Sequence, residues 1–286
     1  MSMGWNGLGF AGRRVLVTGS ASGMGEATAR ILGELGAEVH ALDVRRPAIP
    51  HAAFYEVDLR DPTAIDGAVA AITAAGGIDK LFNCAGISQL PLGPMGCMLV
   101  NFLGLRHLTE SLLPHLPDGA AIASISSGAG IGYLANMATC FELLATADHA
   151  EAVAWCEANP RKIREGYSFS KECIIVWTMM RAVPLATDRA IRINCIGPGP
   201  TDTAFLPAVV ADMGEAYFEA FPKPLYKRNA TAKEQAWPLV WLNSDLAGII
   251  TGECVWTDQG FAAGLFTGQI DASRLMPAGS PAAGIN

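Results

Sequence analysis

The sequence predicts an α/β fold, one doubly wound parallel sheet with helices on both faces. Two observations carry the prediction. Short β-rich runs alternate with helical runs from end to end, the pattern of repeated strand–helix–strand units. The strands are nearly continuous in apolar residues, as strands covered on both faces should be.

The first strand is "RVLVT" (14–18). Glycines follow at once, and then "EATARILGELG" (26–36), with helical apolar spacing and a glycine stop. "AEVHALD" (37–43) reads as the second strand. "AFYEVDL" (53–59), "DKLFNCAG" (79–86), "AAIASIS" (120–126), "AIRINCIG" (190–197) and "ECVWTD" (253–258) continue the series. Residues 128–165 and about 200–230 break the rhythm, as does the tail after Gly260. With no linker and no repeat of solenoid length, residues 1–286 are expected to form a single domain.

Composition narrows the function classes. Hydrophobic residues make up 51% of 286, ample for a large core. A net charge of −7, with no Lys/Arg block, argues against nucleic acid as a partner. The apolar runs are too short to span a bilayer, so no membrane partner is expected. The opening "MSMGWNGLGFAG" has no basic stretch ahead of an apolar one, so no secretory leader is expected. Cys84, Cys97, Cys140, Cys156, Cys173, Cys195 and Cys254 have no C-x-x-C spacing. They read as reduced, buried thiols in a cytoplasmic protein. The histidines His40, His51, His107, His115 and His149 show no zinc spacing, and no metal is expected.

The turn "VTGSASGMGEA" carries Gly19, Gly23 and Gly25 between a strand and a helix. Gly19 permits a tight turn, Gly23 a close approach of backbone to a pyrophosphate, and Gly25 close helix packing. Ser22 and Met24 lie among them. A plain loop is the alternative; the place directly after the first strand favours dinucleotide binding. Asp43 ends the second strand, where a carboxylate can accept from ribose hydroxyls. A solvated strand-end aspartate is the bland reading. Asp58 with Leu59, and Asn83 with Ala85 and Gly86, end further strands along the same crevice.

In "REGYSFSK", Tyr167 and Lys171 are one helical turn apart. A free tyrosine, with pKa near 10, is a poor base at neutral pH. A positive charge about 4 Å away, at an effective dielectric of about 20, is worth roughly 4 kcal/mol, enough to make it an acid–base group. Alone, the pair reads equally as two ordinary helix residues.

Together, in order, these motifs resemble those of the short-chain dehydrogenase/reductases over residues 12–262 or so. "TGSASGMG" resembles the cofactor glycine motif and "NCAG" the family's N-A-G segment. Asn101 in "LVNFLG", Ser127 in "ISSGAG", and Tyr167 and Lys171 match the catalytic tetrad. "NCIGPGPTDT", with Pro198, Gly199, Thr201 and Thr203, resembles the segment flanking the nicotinamide, and "TGECVWTDQG" the closing strand. There are departures. Gly86 to Asn101 is short, Ser127 to Tyr167 is long, and Pro184 falls where the helix after Tyr167 normally continues. The first two resemble the bacterial 3α-hydroxysteroid dehydrogenase/carbonyl reductase branch.

The resemblance implies a Rossmann-type fold and interconversion of an alcohol and a ketone by hydride transfer. Tyr167 would be the general acid or base, Ser127 would hold the substrate oxygen, and Asn101 would position a water linking Lys171 to solvent. Asp43 favours NAD, although Arg45 and Arg46 follow it and suit the phosphate of NADP. Residues 205–226, with Phe205, Leu206, Met213, Tyr217, Phe218, Phe221, Leu225 and Tyr226, read as a lid over an apolar, cyclic or steroid-like alcohol or ketone. A helix packed on the core is the bland reading. Residues 136–158 read as two short helices, the second capped by Asp148. They precede the Tyr167 helix, a common subunit contact in the family, so a homodimer with a remodelled contact is expected, and a tetramer is the alternative. Rival functions are a non-catalytic NAD-sensing protein, disfavoured by the intact tetrad, and an epimerase or dehydratase, disfavoured by the absence of a larger C-terminal domain.

Overall fold

The computed structural model describes residues 5–90, 92–215 and 221–271. Its centre is a seven-stranded sheet of β1 (Arg14–Thr18), β2 (Glu38–Asp43), β3 (Ala53–Glu56), β4 (Lys80–Asn83), β5 (Ala121–Ile125), β6 (Arg192–Pro198) and β9 (Cys254–Thr257). The spatial order is β3-β2-β1-β4-β5-β6-β9, and all six ladders are parallel. Both faces are covered, which explains the continuous apolar strands. Val15, Leu16 and Val17 are all fully buried, although neighbours along a strand point to opposite faces.

Two apolar layers result. On one face, α1 (Gly23–Glu34) and α10 (Ala232–Asn243) pack Ile31, Leu32, Leu239 and Leu242 with Val15 and Val17. On the other, α2 (Pro62–Ala74), α4 (Leu105–Leu112) and α8 (Tyr167–Arg189) pack Ile65, Leu108 and Ile174 with Leu16 and Leu81. The order of strands reverses between β1 and β4, so their carboxyl ends diverge and leave a crevice.

Three short helices fill the long interval before α8: α5 (Met137–Leu144), α6 (His149–Ala158) and α7 (Pro160–Ile163). Asp148 caps α6 by accepting the Glu151 N–H at 2.9 Å. The Glu151 carboxylate reaches back to the Ala147 N–H at 2.8 Å, one residue further than in a capping box. Cys140, Leu143, Ala152 and Cys156 bury against the same core as α8. Arg106 of α4 pins the turn between α5 and α6, donating to the hydroxyl and the carbonyl of Thr146.

Pro184 does not end α8, which runs on to Arg189. Met180, Val183 and Pro184 face solvent, where water can take the Met180 carbonyl that proline leaves without its helical donor. Beyond β6, the chain forms β7 (Thr201–Asp202), α9 (Leu206–Met213) and β8 (Ala230–Thr231), with β7 and β8 paired in parallel. A further short helix, α11 (Phe261–Phe266), follows β9.

Candidate active site

A cleft of about 420 Å³ opens at the carboxyl ends of the central strands. One end is built by the glycine turn. Gly19 has φ of 64°, and a Cβ there would lie 2.6 Å from the Ala85 Cα. At Gly25 a Cβ would lie 2.1 Å from the Gly19 carbonyl oxygen, so no side chain fits. Ser22 begins α1 without a side-chain cap, which leaves the positive end of the helix to the cleft. Thr18 joins the two strands beneath, its hydroxyl accepting the N–H groups of Cys84 and Ala85 at 3.0 and 3.1 Å.

Two carboxylates stand along this end. Asp43 accepts the Ala21 N–H at 2.9 Å and the Arg45 N–H at 3.0 Å, so its position is fixed from both sides. Asp58 is clasped by Arg60, whose Nε lies 2.9 and 3.0 Å from its two oxygens. Those bonds hold the Asp58 carboxyl below the usual carboxylate range. The two arginines after Asp43 part company. Arg45 lines the cleft, whereas Arg46 lies over the Phe54 ring at 4.8 Å and beside His51.

The other end carries three of the four residues expected to form the tetrad, Ser127, Tyr167 and Lys171. Tyr167 is the first residue of α8 and lines the cleft, its ring 6.4 Å from that of Phe205. Lys171, one turn on, passes the Tyr167 ring and donates to the Ile125 carbonyl at 3.0 Å. Burial lowers the Lys171 ammonium to about 8. Ser127 accepts the Ala129 N–H at 3.1 Å, which leaves its hydroxyl proton for an oxygen in the cleft. Neighbouring Ser126 donates to the Lys171 carbonyl at 2.8 Å and ties α8 to the end of β5.

The cleft brings together Gly19, Ser22, Gly23, Met24, Gly25, Asp43, Asp58, Leu59, Ala85, Gly86, Ser127, Tyr167, Lys171, Pro198, Gly199, Thr201 and Thr203. Two of the sequence candidates are not in its wall. Asn83 turns inward, where its amide donates to Thr109 and Ser124; as the end of a doubly covered strand, it faces a helix rather than the crevice. Asn101 is buried in a π-helical turn (Leu99–Gly104) between α3 (Gly93–Met98) and α4. Its amide clasps the backbone of Ile87, accepting the N–H at 2.8 Å and donating to the carbonyl at 2.9 Å. It still borders the site: a Cβ at Gly86 would lie 3.4 Å from Asn101 Oδ1 and 3.5 Å from Lys171 Nζ.

Of the residues expected to form a lid, Phe205, Leu206 and Phe221 line the cleft, and Val209 joins them. Leu225 and Tyr226 are exposed. Tyr217 and Phe218 lie outside the described residues. Sequence reasoning missed Arg60 and Ser126. Arg60 directly follows Asp58-Leu59, and that adjacency was the available signal.

Residues 13–139 match the family model described as short chain dehydrogenase, and residues 153–262 the one described as enoyl-(acyl carrier protein) reductase. The chain is 33% identical over 251 residues to the coniferyl-alcohol dehydrogenase of Pseudomonas sp. (strain HR199 / DSM 7063), covering 88% of this chain and 97% of that one. The chain belongs to the short-chain dehydrogenase/reductase family. As a member, it is an oxidoreductase acting on CH–OH groups. It is 28% identical over 260 residues to the 3-alpha-hydroxysteroid dehydrogenase/carbonyl reductase of Comamonas testosteroni, covering 87% of this chain and 96% of the relative. Among solved structures, the 3-alpha-hydroxysteroid dehydrogenase of Pseudomonas sp. B-0831 complexed with NADH superposes with a TM-score of 0.76 at 27% identity. That match covers 90% of this chain and all of the other. Among the described residues, no helix is long and apolar enough to cross a membrane.

Proposed function

We propose that this short-chain dehydrogenase/reductase interconverts an apolar, cyclic or steroid-like secondary alcohol and its ketone with NAD(H). One observation carries the reading: Ser127, Tyr167 and Lys171 share a cleft with the glycine turn at one end and Ile87, Val100, Phe205, Leu206, Val209 and Phe221 at the other.

The residues present fit a dinucleotide. The glycine cradle, which a Cβ would fill at Gly25, and the open end of α1 would hold the pyrophosphate. Asp43 would accept from the adenosine ribose, Asp58 and Leu59 would border the adenine, and Pro198, Gly199, Thr201 and Thr203 would flank the nicotinamide. When bound, that cofactor supplies a hydride donor or acceptor. The chain's own residues do the rest. Tyr167 gives or takes the proton at the substrate oxygen, an effect of about 10²–10⁴-fold. Ser127 donates to that oxygen, and the Lys171 ammonium favours the ionised phenol. Asn101, by holding Ile87, fixes the wall through which a water would join Lys171 to solvent. The apolar wall excludes water and disfavours sugars and hydroxy acids.

The coniferyl-alcohol relative favours a second reading, a primary allylic alcohol on an aromatic ring, and Phe205 beside Tyr167 suits a flat ring. Absorbance at the reduced-nicotinamide band decides. The panel is cyclohexanol-like, steroidal and cinnamyl-type alcohols with their carbonyl forms, run with both cofactors. A preference for polyols would overturn both readings.

We read residues 1–286 as one catalytic domain, with the insertion at 128–165 and the lid at 200–230. The seven cysteines, none of them in a disulfide, support a cytoplasmic setting. We also infer a homodimer, with a tetramer as the alternative, because the insertion packs on α8 and leaves Met179, Met180 and Val183 exposed farther along it. A monomeric mass by light scattering at micromolar concentration would refute both.

A further inference from the structure

Lys171 is followed on α8 by Glu172, a carboxylate that the chemistry above does not use. Its side chain is only 3% exposed. Arg164 donates to its Oε2 at 2.7 Å, and Asn136 donates to its Oε1 at 3.0 Å. Asn136 stands at the foot of α5, where the insertion helices begin. Arg164 stands directly after α7, where they end. Both ends of the insertion are therefore fastened to one carboxylate, on the helix that carries Tyr167 and Lys171.

The fastening is tight. A Cβ on Gly132 would lie 2.8 Å from Glu172 Oε1, so the carboxylate has little room to move. Successive helix residues are about 100° apart, which puts Glu172 roughly 140° around α8 from Tyr167. The cleft side of the helix is already held by Ser126, bonded to the Lys171 carbonyl, and by Lys171, bonded to Ile125. Glu172 holds the opposite side. Between Arg164 and Tyr167 the chain is strained. Arg164 has φ of 55° and Gly166 φ of 80°, and a Cβ on Gly166 would lie 2.2 Å from the Pro94 carbonyl oxygen. Such a backbone persists only where its surroundings over-determine it, and the Arg164–Glu172 pair is one of those restraints.

A buried ion pair adds little stability over an apolar pair of the same volume. What it adds is direction, because charge-assisted hydrogen bonds are short and oriented. Here the direction is given to the turn that aims Tyr167. We propose that Glu172, held by Arg164 and Asn136, is a positioning residue for alcohol–carbonyl interconversion, setting where Tyr167 stands at the start of α8. Through it, the insertion governs turnover. This rests on the function proposed above.

The test uses the full chain and its best substrate from the alcohol and ketone panel. Glu172→Gln keeps the volume and removes the charge. Arg164→Met removes the guanidinium and keeps a non-glycine residue at the strained position. Each is expected to lower kcat about tenfold or more, since a displacement of about 1 Å is enough for that. The Kd for NADH, read by fluorescence, and the substrate KM should each stay within about threefold, because the cleft residues themselves are unchanged. The double variant should lose no more than the worse single one, as residues of one network do. Either variant holding kcat within about twofold of the parent would overturn the proposal. So would a fall in kcat matched by an equal loss of NADH binding, which reports a loosened fold. If Glu172→Gln fails to fold, Arg164→Met decides alone, its side chain being one-third exposed. A parent protein inactive on the whole panel would remove the proposed function, and this inference with it. An active parent with unimpaired variants would remove this inference only.

Discussion

The Lys171 ammonium lies 5.7 Å from the centroid of the Tyr167 ring, and the two side chains reach the same cleft from one helical turn. On the function proposed above, that pairing makes the phenol the proton-carrying group. Tyr167→Phe keeps the ring against Phe205 and removes the hydroxyl. Turnover should fall by at least about 10²-fold, with NADH affinity nearly unchanged. Steady-state kinetics beside a fluorescence titration check both halves.

Burial of Lys171 has a consequence for stability. Its pKa falls from 10.5 to about 8 on folding, so folding is penalised while the group is charged. The sign follows: the unfolded chain binds more protons, so this contribution to stability rises with pH. The penalty is full below about pH 8 and fades as pH climbs toward 10.5. Its size is on the order of 3 kcal/mol. Lys171→Met avoids it but strands the Ile125 carbonyl, at about 1–3 kcal/mol. The variant should therefore lose turnover at pH 7 without losing thermal stability. Any advantage in Tm over the parent should shrink from pH 8 to 10. An advantage that grows over that range would contradict the assignment.

Gly25 has no room for a methyl group. Gly25→Ala would set a Cβ against the Gly19 carbonyl and push apart the turn and α1. Cofactor affinity should fall by about tenfold or more, the equivalent of roughly 1.4 kcal/mol. Binding of NADH followed by fluorescence tests this without reference to any substrate.

Asp43 sets the cofactor prediction. Its carboxylate is fixed by two backbone amides at the end of β2, where the proposed reading sets the adenosine ribose. NAD should be preferred over NADP by about 10²-fold in kcat/KM, or about 2.7 kcal/mol. Asp43→Ala should shrink that ratio, with Arg45 in the cleft to meet the phosphate. Arg46 is turned away onto Phe54, so a full reversal is less favoured than two free arginines would make it. Equal activity with NADP in the unmodified protein would show that Asp43 does not govern the choice.

What was legible in the sequence was local. Gly19, Gly23 and Gly25 declare themselves because a tight turn between strand and helix leaves few alternatives. Asp43 follows from its place at a strand end, whereas Tyr167 and Lys171, an ordinary pair by spacing alone, stand out only through the resemblance carried by the other motifs. Side-chain direction was harder. Asn83 sits in a motif that belongs to the cleft, yet its own amide turns to Thr109. Asn101 was found, but its π-helical turn was not, because nothing in "LVNFLG" forbids an ordinary helix. Pro184 looked like a break and is not one, since only the tertiary structure shows that its side of α8 faces water. The Glu172–Arg164 pair was invisible for a similar reason: Glu172 looks like any surface helix carboxylate until the insertion is folded over it.

The small ladder between Thr201–Asp202 and Ala230–Thr231 joins the two ends of the proposed lid side by side. The connection between Asp202 and Ala230 is thus closed at its base, and extra length in such a connection adds little entropy, about 0.6 kcal/mol per doubling. If this segment is the lid proposed above, it is an exchangeable part. A longer, shorter or differently charged segment could be grafted between Asp202 and Ala230 while the sheet and the tyrosine helix stay as they are. The range of alcohols accepted can then diverge faster than the reaction itself.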